Sequence, residues 1–515
     1  MLADRAVAVS REEASRSLAW WIVRFTRKSS HRYNRSRTSL ADLFGDLYSY
    51  ALAVGCALTL AVSFVIGLRN EIADQGPVGR GFISNEWLVL PGPVLWTLLT
   101  YAALAGITTL ARRLGPISVQ GAEGGWWLSL PVDRRPMVLP AFLRRCVLTC
   151  MGAAAAFLPF SFLTSLERTA PEHLLASATF GALGVLAVAL AAMLQLEIIN
   201  HRFTRLASAV ILMPCAILPS LTLSPWPLIL ATLSAVVIVS VIAPRAGQIR
   251  GAELIRGGAV AGHATASIFF MDTNEIFRAL RGNQHVVGTG RASGFYARPA
   301  RAPIRALVLA DTVAFIRLHP SIAAPMLCLG ACIAVLLVDD GLPAFLQLAV
   351  IALAGCATAS STVTVARRTA QVPGLDALLP IEPSLVRVSR TLMPAFAMAF
   401  WMACLSGVLV LLGTVGPALI LVGALSGAAM GAGAVRGATR PTPDWSLPPV
   451  ETPFGPVPQA QFSSLLRGPD VTVLAMLPLL VALYIGAANP SVIIAQAVIS
   501  TGVFAAVVLR PFSTE

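Results

Sequence analysis

Residues 174–196 read LLASATFGALGVLAVALAAMLQL, twenty-three positions without a charged side chain. About 20 apolar residues in a helix fill a hydrocarbon core roughly 30 Å thick. The acid that closes this run, Glu197, stands at its end and not inside it. Eleven further runs of the same kind lie on either side, so the expected spans are 47–68, 88–111, 146–166, 174–196, 206–224, 226–244, 321–338, 342–365, 391–412, 415–435, 471–488 and 490–509. None carries Asp, Glu, Lys or Arg in its middle. Ser224-Pro225 breaks the closely spaced pair 206–224 and 226–244 into a hairpin.

The composition agrees with a bilayer as the main solvent. Hydrophobic types make up 56% of the 515 residues and charged types 12%, about half the share of a soluble domain. Mean hydropathy is +0.75. The net charge of +13 would suggest nucleic acid in a soluble protein. Here the basic residues lie in loops between apolar runs, where membrane topology accounts for them. All but Lys28 of the 38 basic residues are Arg, which points to a GC-rich genome. The eight cysteines lie in or beside apolar runs, with no CxxC and no Cys/His metal spacing, and read as small packing residues.

Alternate assignment of the loops puts 35 basic residues on one side and three, Arg69, Arg80 and Arg168, on the other. That asymmetry is the positive-inside pattern, and it places both termini in the cytoplasm. No secretory signal opens the chain. Leu18 to Phe25, LAWWIVRF, is too short to span, and Trp20 and Trp21 suit the headgroup boundary, so a helix lying on the membrane is expected there.

The expected organisation is a cytoplasmic tail (1–46), a six-span half (47–244), a cytoplasmic linker (245–320), a second six-span half (321–509) and a short tail (510–515). A weak internal repeat supports two halves. Arg112-Arg113 and Arg367-Arg368 end the second and eighth spans, 255 residues apart, and Pro140-Ala141-Phe142 and Pro394-Ala395-Phe396 follow, 254 apart. Halves of six spans share one orientation, a parallel repeat.

The informative segments are cytoplasmic. After the second span comes GAEGGWWLSLPVDRRPMVLPAFLRR, in which Trp126, Trp127, Leu128 and Leu130 precede Asp133, Arg134 and Arg135. An apolar patch followed by a charged turn suits a short helix that leaves the membrane, touches something and returns. After the eighth span comes QVPGLDALLPIEPSLVRVSR, with Asp376, Leu378, Leu379, Glu382 and Arg387. Each loop has a Leu-Pro step with an acid two residues beyond it, Asp133 or Glu382. An ordinary amphipathic connector at the headgroups fits the same composition. A surface helix is expected before each half: SLADLFGD, with Asp42, before the first, and RALVLADTVAFIRLHP, with Asp311, Phe315 and Arg317, before the second. The Pro-rich stretch 441–470 precludes a helix and suits an extended strap.

No GxxxxGK[ST], HExxH or GxSxG is present, and the six histidines are scattered. No constellation of catalytic or metal-binding residues emerges. Without a titratable group in the span middles, proton coupling is disfavoured, although Na⁺ can use carbonyls and hydroxyls.

These features resemble the permease subunits of ABC-type exporters whose half-unit has six spans. WWLSLPVDRR with PMVLPAFLRR looks like the coupling-loop signature of those families, and DTVAFIRLHP looks like their connecting helix. The second loop departs most, with Pro383 and Ser384 where the family often has Arg or Lys. The resemblance implies two fused halves forming one all-α permease in a bacterial plasma membrane. It implies no ATPase motif of its own, with ATP bound on two separate cytoplasmic ATPase subunits. The coupling residues would be Trp126, Trp127, Leu128, Asp133, Arg134 and Arg135 in the first half. In the second they would be Asp376, Leu378, Leu379, Glu382 and Arg387. The connecting helices would contribute Trp20, Trp21, Asp42, Asp311, Phe315 and Arg317. Neutral spans suit a hydrophobic or amphipathic cargo. The competing readings are an ion-coupled secondary carrier and a non-transporting scaffold or sensor.

Overall fold

The computed structural model describes residues 2–37, isolated positions and helical pieces between 39 and 70, then 90–165, 167–196, 210–221, 224–269, 273–281, 302–318, 323–337, 344–440, 446, 448, 450–452, 455–457 and 469–509. These residues are almost entirely helical. The chain divides into two compact units, one of residues 1–74, 96–266 and 279–282, the other of 75–95, 267–278 and 283–515.

The first unit holds α1 (Leu2–Arg37), α2 (Gly92–Leu114, in this unit from Trp96), α3 (Gly121–Trp127), α4 (Arg135–Thr164) and α5 (Ala170–Gln195). There follow a short apolar α6 (Val210–Ser220), α7 (Trp226–Ile242) with a 3-10 extension Ala243–Gln248, and α8 (Gly251–Phe269, in this unit to Ala266). The sequence explains the boundaries of α5. Thr169 and Glu172 form a reciprocal capping box, with the Thr169 amide donating to Glu172 Oε2 at 3.1 Å. Pro171 sits in the first turn, where its missing N–H costs nothing. Beyond the cap α5 is apolar all round, and such a helix belongs inside a bundle. It is the most buried of the long helices. Gly181 and Gly184 let it approach α4: a Cβ at 181 would lie 2.7 Å from the Cys150 carbonyl oxygen. Phe157 and Phe180 stack across the same seam at 4.5 Å.

In sequence α9 (Thr273–Arg281) comes next. The second unit holds α10 (Pro303–Leu318), α11 (Ala323–Leu336), α12 (Ala344–Thr362), α13 (Thr364–Thr369), α14 (Pro373–Ala377), α15 (Pro383–Leu411) and α16 (Ala418–Ala438). After these come a two-stranded antiparallel hairpin of β1 (Val450–Thr452) and β2 (Gly455–Val457), then α17 (Pro469–Ile485) and α18 (Pro490–Val508). Its central helix is α16. Gly423, Gly427 and Gly431 recur every four residues and face α15. A Cβ at 427 would stand 2.2 Å from the Met398 carbonyl oxygen, and one at 431 would stand 2.5 Å from that of Pro394. Small residues at this spacing allow the backbone contact that drives helix association in lipid. Pro478 interrupts the hydrogen-bond ladder of α17. Nearby, the Ala475 carbonyl accepts from Ser426 Oγ of α16 and Gln496 Nε2 of α18, each at 3.0 Å. Neighbouring helices thus supply polar partners at a proline-broken segment, as they must where no water does.

The protein is therefore a helical membrane protein. Among the described residues eight helices are long and apolar enough to cross a bilayer: α2, α4, α5, α7 with its extension, α12, α15, α16 and α18. The expected spans 321–338 and 471–488 fall on shorter apolar helices, α11 and α17, and 206–224 on α6. The run 47–68 lies partly outside the described residues, and its described positions 48, 51–52, 55–56 and 59–67 are helical. Two helices begin earlier than their apolar runs. The helix α4 starts at Arg135, not 146, and α15 at Pro383, not 391. In each a proline in the first turn, Pro136 or Pro383, presets the backbone, so the helix carries its arginines (Arg144 and Arg145, or Arg387 and Arg390) before the apolar run begins. The expected strap 441–470 lies largely outside the described residues, and its described part is 446, 448, the β1–β2 hairpin and the first two residues of α17.

Candidate functional site

In the first unit the loop after α2 is tightly braced. Gly115 turns the chain with φ +69°, a conformation that favours glycine. Gln195, at the end of α5, clasps Ile117: its Oε1 accepts from the Ile117 amide at 3.2 Å, and its Nε2 donates to the Ile117 carbonyl at 3.0 Å. The Arg145 guanidinium donates to the carbonyls of Gly115 (2.9 Å) and Pro116 (3.2 Å). The Val119 amide donates to the Leu254 carbonyl of α8 at 3.2 Å. Gly257 and Gly258 of α8 lie flush against this segment, and a Cβ on Gly258 would fall 1.7 Å from the Val119 carbonyl oxygen. The linker helix α8 thus forms the bed of the loop, a role the sequence reading missed. The adjacent Gly257-Gly258 pair was the available signal.

On this bed sits α3. The two tryptophans at its end divide the work. Trp127 and Leu128 pack into the core that also contains Met137, Val138 and Phe142. Trp126 points away and is 80% exposed, and Leu130 is exposed beside it. Asp133 is engaged internally. Its Oδ1 accepts from the Arg135 amide at 3.0 Å, and its Oδ2 accepts from Arg16 Nε of α1 at 3.3 Å. The Asp133 amide donates to Ser15 Oγ at 2.8 Å. Arg134 reaches the Leu128 carbonyl at 3.5 Å, closing the turn. Of the six expected residues in this loop, Trp126 turns a large apolar surface outward, while Trp127, Leu128 and Asp133 hold the turn in place.

In the second unit the loop after α12 and α13 folds as α14. Leu378 is 79% exposed and Leu375 is also exposed, whereas Leu379 is half-buried. Asp376 accepts from Arg390 Nη2 of α15 at 3.1 Å. The other arm of Arg390 pairs with Asp311 of α10, whose second oxygen accepts from Ser389 Oγ at 2.5 Å. Asp311 is 4% exposed, so this charge is satisfied entirely by protein. Burial pushes the Asp376 carboxyl up from its ordinary value, against the pull of the Arg390 guanidinium. Glu382 sits exposed at the N-cap of α15 without a side-chain cap bond. The acid of this loop that is held is therefore Asp376, tied to Arg390 of α15, which carries the link on to Asp311 of α10; the Leu-Pro-x-acid likeness of Glu382 to Asp133 does not extend to their contacts. Arg387 Nε donates to the Pro383 carbonyl at 3.2 Å in its own helix. Phe315 and Arg317 are half-buried on α10, and Trp20 and Trp21 are exposed on α1. Asp42 lies outside the described residues.

Each unit thus has a short helix between two long apolar ones, with a large apolar side chain at its tip. Each also has an ionic link from the same loop toward a preceding helix, directly from Asp133 to Arg16 of α1 and, through Arg390 of α15, from Asp376 to Asp311 of α10. Arg390, missed in the sequence reading, is the centre of the second link. Among the described residues no group of His, Cys, Asp and Glu could hold a metal ion.

Residues 92–448 match a family of unknown function (DUF6297), more than half of the chain. The chain belongs to the DUF6297 family. Neither curated proteins nor solved structures give a match. The DUF6297 region runs from α2 to beyond α16 and so contains both tip helices, α3 and α14, with the long helices that follow them.

Proposed function

We propose that this DUF6297 protein is the membrane permease of an ATP-driven ABC-type exporter, with separate cytoplasmic ATPase subunits, two copies, docking on α3 and α14. One observation carries the reading. Both loops expose a large apolar side chain, Trp126 or Leu378, at the tip of a short helix that is ionically tied to a surface helix. An exposed aromatic or leucine on a fixed tip is the kind of anchor that fills a partner's pocket. A push on either tip would pass into a long apolar helix, α4 or α15. In this reading the chain has twelve spans as two parallel six-span halves, with both termini in the cytoplasm of a bacterium. Support comes from the segregation of Arg, the ARR and PAF spacings and the division into two compact units. ATP binds on the partner subunits, and the cargo is hydrophobic or amphipathic.

The test is to co-express the chain with ABC-type ATPase subunits from the same genome, purify the complex and measure ATP hydrolysis. Trp126→Ala with Leu378→Ala is expected to abolish co-purification or lower permease-stimulated hydrolysis at least tenfold, with both subunits still folded. Full stimulation by that double variant would refute the docking assignment. A second reading, an ion-coupled carrier, draws on Gln347 and Gln496 within apolar helices. Their Oε1 atoms are buried and unbonded among the described residues, and amide oxygens can ligate Na⁺. Gradient-driven flux in vesicles without ATP would favour it.

A further inference from the structure

The helix α1 buries one side and leaves another bare. Ala19 and Val23 are buried in the core that contains Met137, Val138 and Phe142 at the start of α4. At 100° per residue the opposite side of α1 carries Trp21, Phe25, Lys28, Arg32 and Arg35 in a single line. Trp21 is 61% exposed and stacks on Phe25 at 5.3 Å, and the cations of that line are exposed with them. Arg24 flanks it, also exposed. From Ala14 to Ala41 the sequence contains six arginines and one lysine and no acid. No carboxylate of its own segment can neutralise this face.

We infer that this face of α1 is a binding surface for anionic phospholipid headgroups. The inference rests on the protein being multi-pass and is independent of the ATPase partner. The aromatic pair supplies the part that enters the headgroup boundary. The cations one to three turns along the same line lie at the level of phosphate. Each basic residue near an anionic membrane surface contributes about a fivefold preference, the equivalent of about 1 kcal/mol. A bare aromatic face without the cations would bind any bilayer, and cations without the aromatics would suit any polyanion. The two in register select a negatively charged lipid surface.

The full-length protein, purified in neutral detergent, is titrated with phosphatidylglycerol and with phosphatidylcholine, and bound lipid is read by native mass spectrometry. Wild type is expected to prefer phosphatidylglycerol, the more so at low salt, since raising ionic strength shortens the screening length from about 10 Å toward 3 Å. Arg24→Gln with Lys28→Gln and Arg32→Gln should lower the preference on the order of 100-fold. The exchange Arg24→Lys, Lys28→Arg and Arg32→Lys should retain it. An equal charge change elsewhere, Arg144→Gln with Arg256→Gln and Arg305→Gln, should also retain it. Trp21→Ala with Phe25→Ala should weaken both lipids and leave their ratio unchanged. An unchanged ratio in the first triple variant, or an equal loss in the control triple, overturns the inference. So does a lost affinity for duplex DNA with the lipid ratio unmoved, which would assign the face to nucleic acid.

Discussion

Replacing Arg390 by Ala removes the cation from a carboxylate that has no water to turn to. Asp311 is 4% exposed and would keep only Ser389 Oγ as a partner. Breaking a buried ion pair from one side costs about 3–5 kcal/mol, because the remaining charge stays desolvated. Asp376 adds little to that loss. Its side chain is 25% exposed, and pairs nearer the surface contribute about 0.2–1 kcal/mol. The expected order of destabilisation is therefore Arg390→Ala far above Asp376→Asn. The double variant Asp311→Asn, Arg390→Ala should recover part of the loss, because its buried group is neutral. We expect a coupling of about 2 kcal/mol or more between positions 311 and 390, within the range for residues that share a network. The assay is unfolding of the full chain in mixed micelles, followed by near-UV circular dichroism, with a four-variant cycle at 311 and 390. Additive losses in that cycle, or Arg390→Ala no worse than Asp376→Asn, would show that the Asp311 charge is solvated and the link superficial.

Three further outcomes follow from the same geometry. Gly427→Ala must drive α16 off the Met398 carbonyl and should cost about 1–3 kcal/mol, whereas Gly407→Ala, with open space around it, should be neutral or better in thermal unfolding. Gly258→Ala should displace residues 115–120 and expose them to limited proteolysis, while Gly262→Ala, with nothing within 4 Å, should leave the digestion pattern unchanged. Thr169→Val removes half of the capping box of α5 and should lower stability by about 1 kcal/mol, with Thr109→Val, which loses only a bond to its own helix, as the comparison in the same melt.

The membrane class was legible because it rests on runs of side chains, which sum over 20 positions. The ends of α4 and α15 were not, since a hydropathy run marks where lipid begins and a helix continues past it when its first turn carries proline. What escaped the sequence reading is pairwise. Trp126 and Trp127 are adjacent and chemically identical, and a single residue's rotation about α3 sends one to the core and the other outward. Asp133 and Glu382 share a local motif, yet Asp133 meets Arg16 from 117 residues away while Glu382 faces solvent. Arg390 read as one more loop cation, because nothing local marks it as the partner of Asp311, 79 residues earlier. The GxxxGxxxG row of α16 was legible in principle: its spacing matches a known mode of helix packing and stands in the sequence as GALSGAAMG.

The two links between loop and surface helix differ in strength, and that difference bears on how a push at the tips would travel. In the first unit Arg16 and Asp133 are 44% and 13% exposed, so their ion pair contributes about 1 kcal/mol or less and can open at thermal cost. The loop itself is gripped elsewhere, by backbone contact with α8 at Val119 and by Gln195 at Ile117. Force on Trp126 would therefore load α8 and α5 before α1. In the second unit the grip is the buried Asp311–Arg390 pair, and Asp376 hangs from the same guanidinium. Force on Leu378 would load α10 and α15 together. Under the proposed reading the two halves are built to respond differently to the same motor: one yields at its surface helix and the other carries it along.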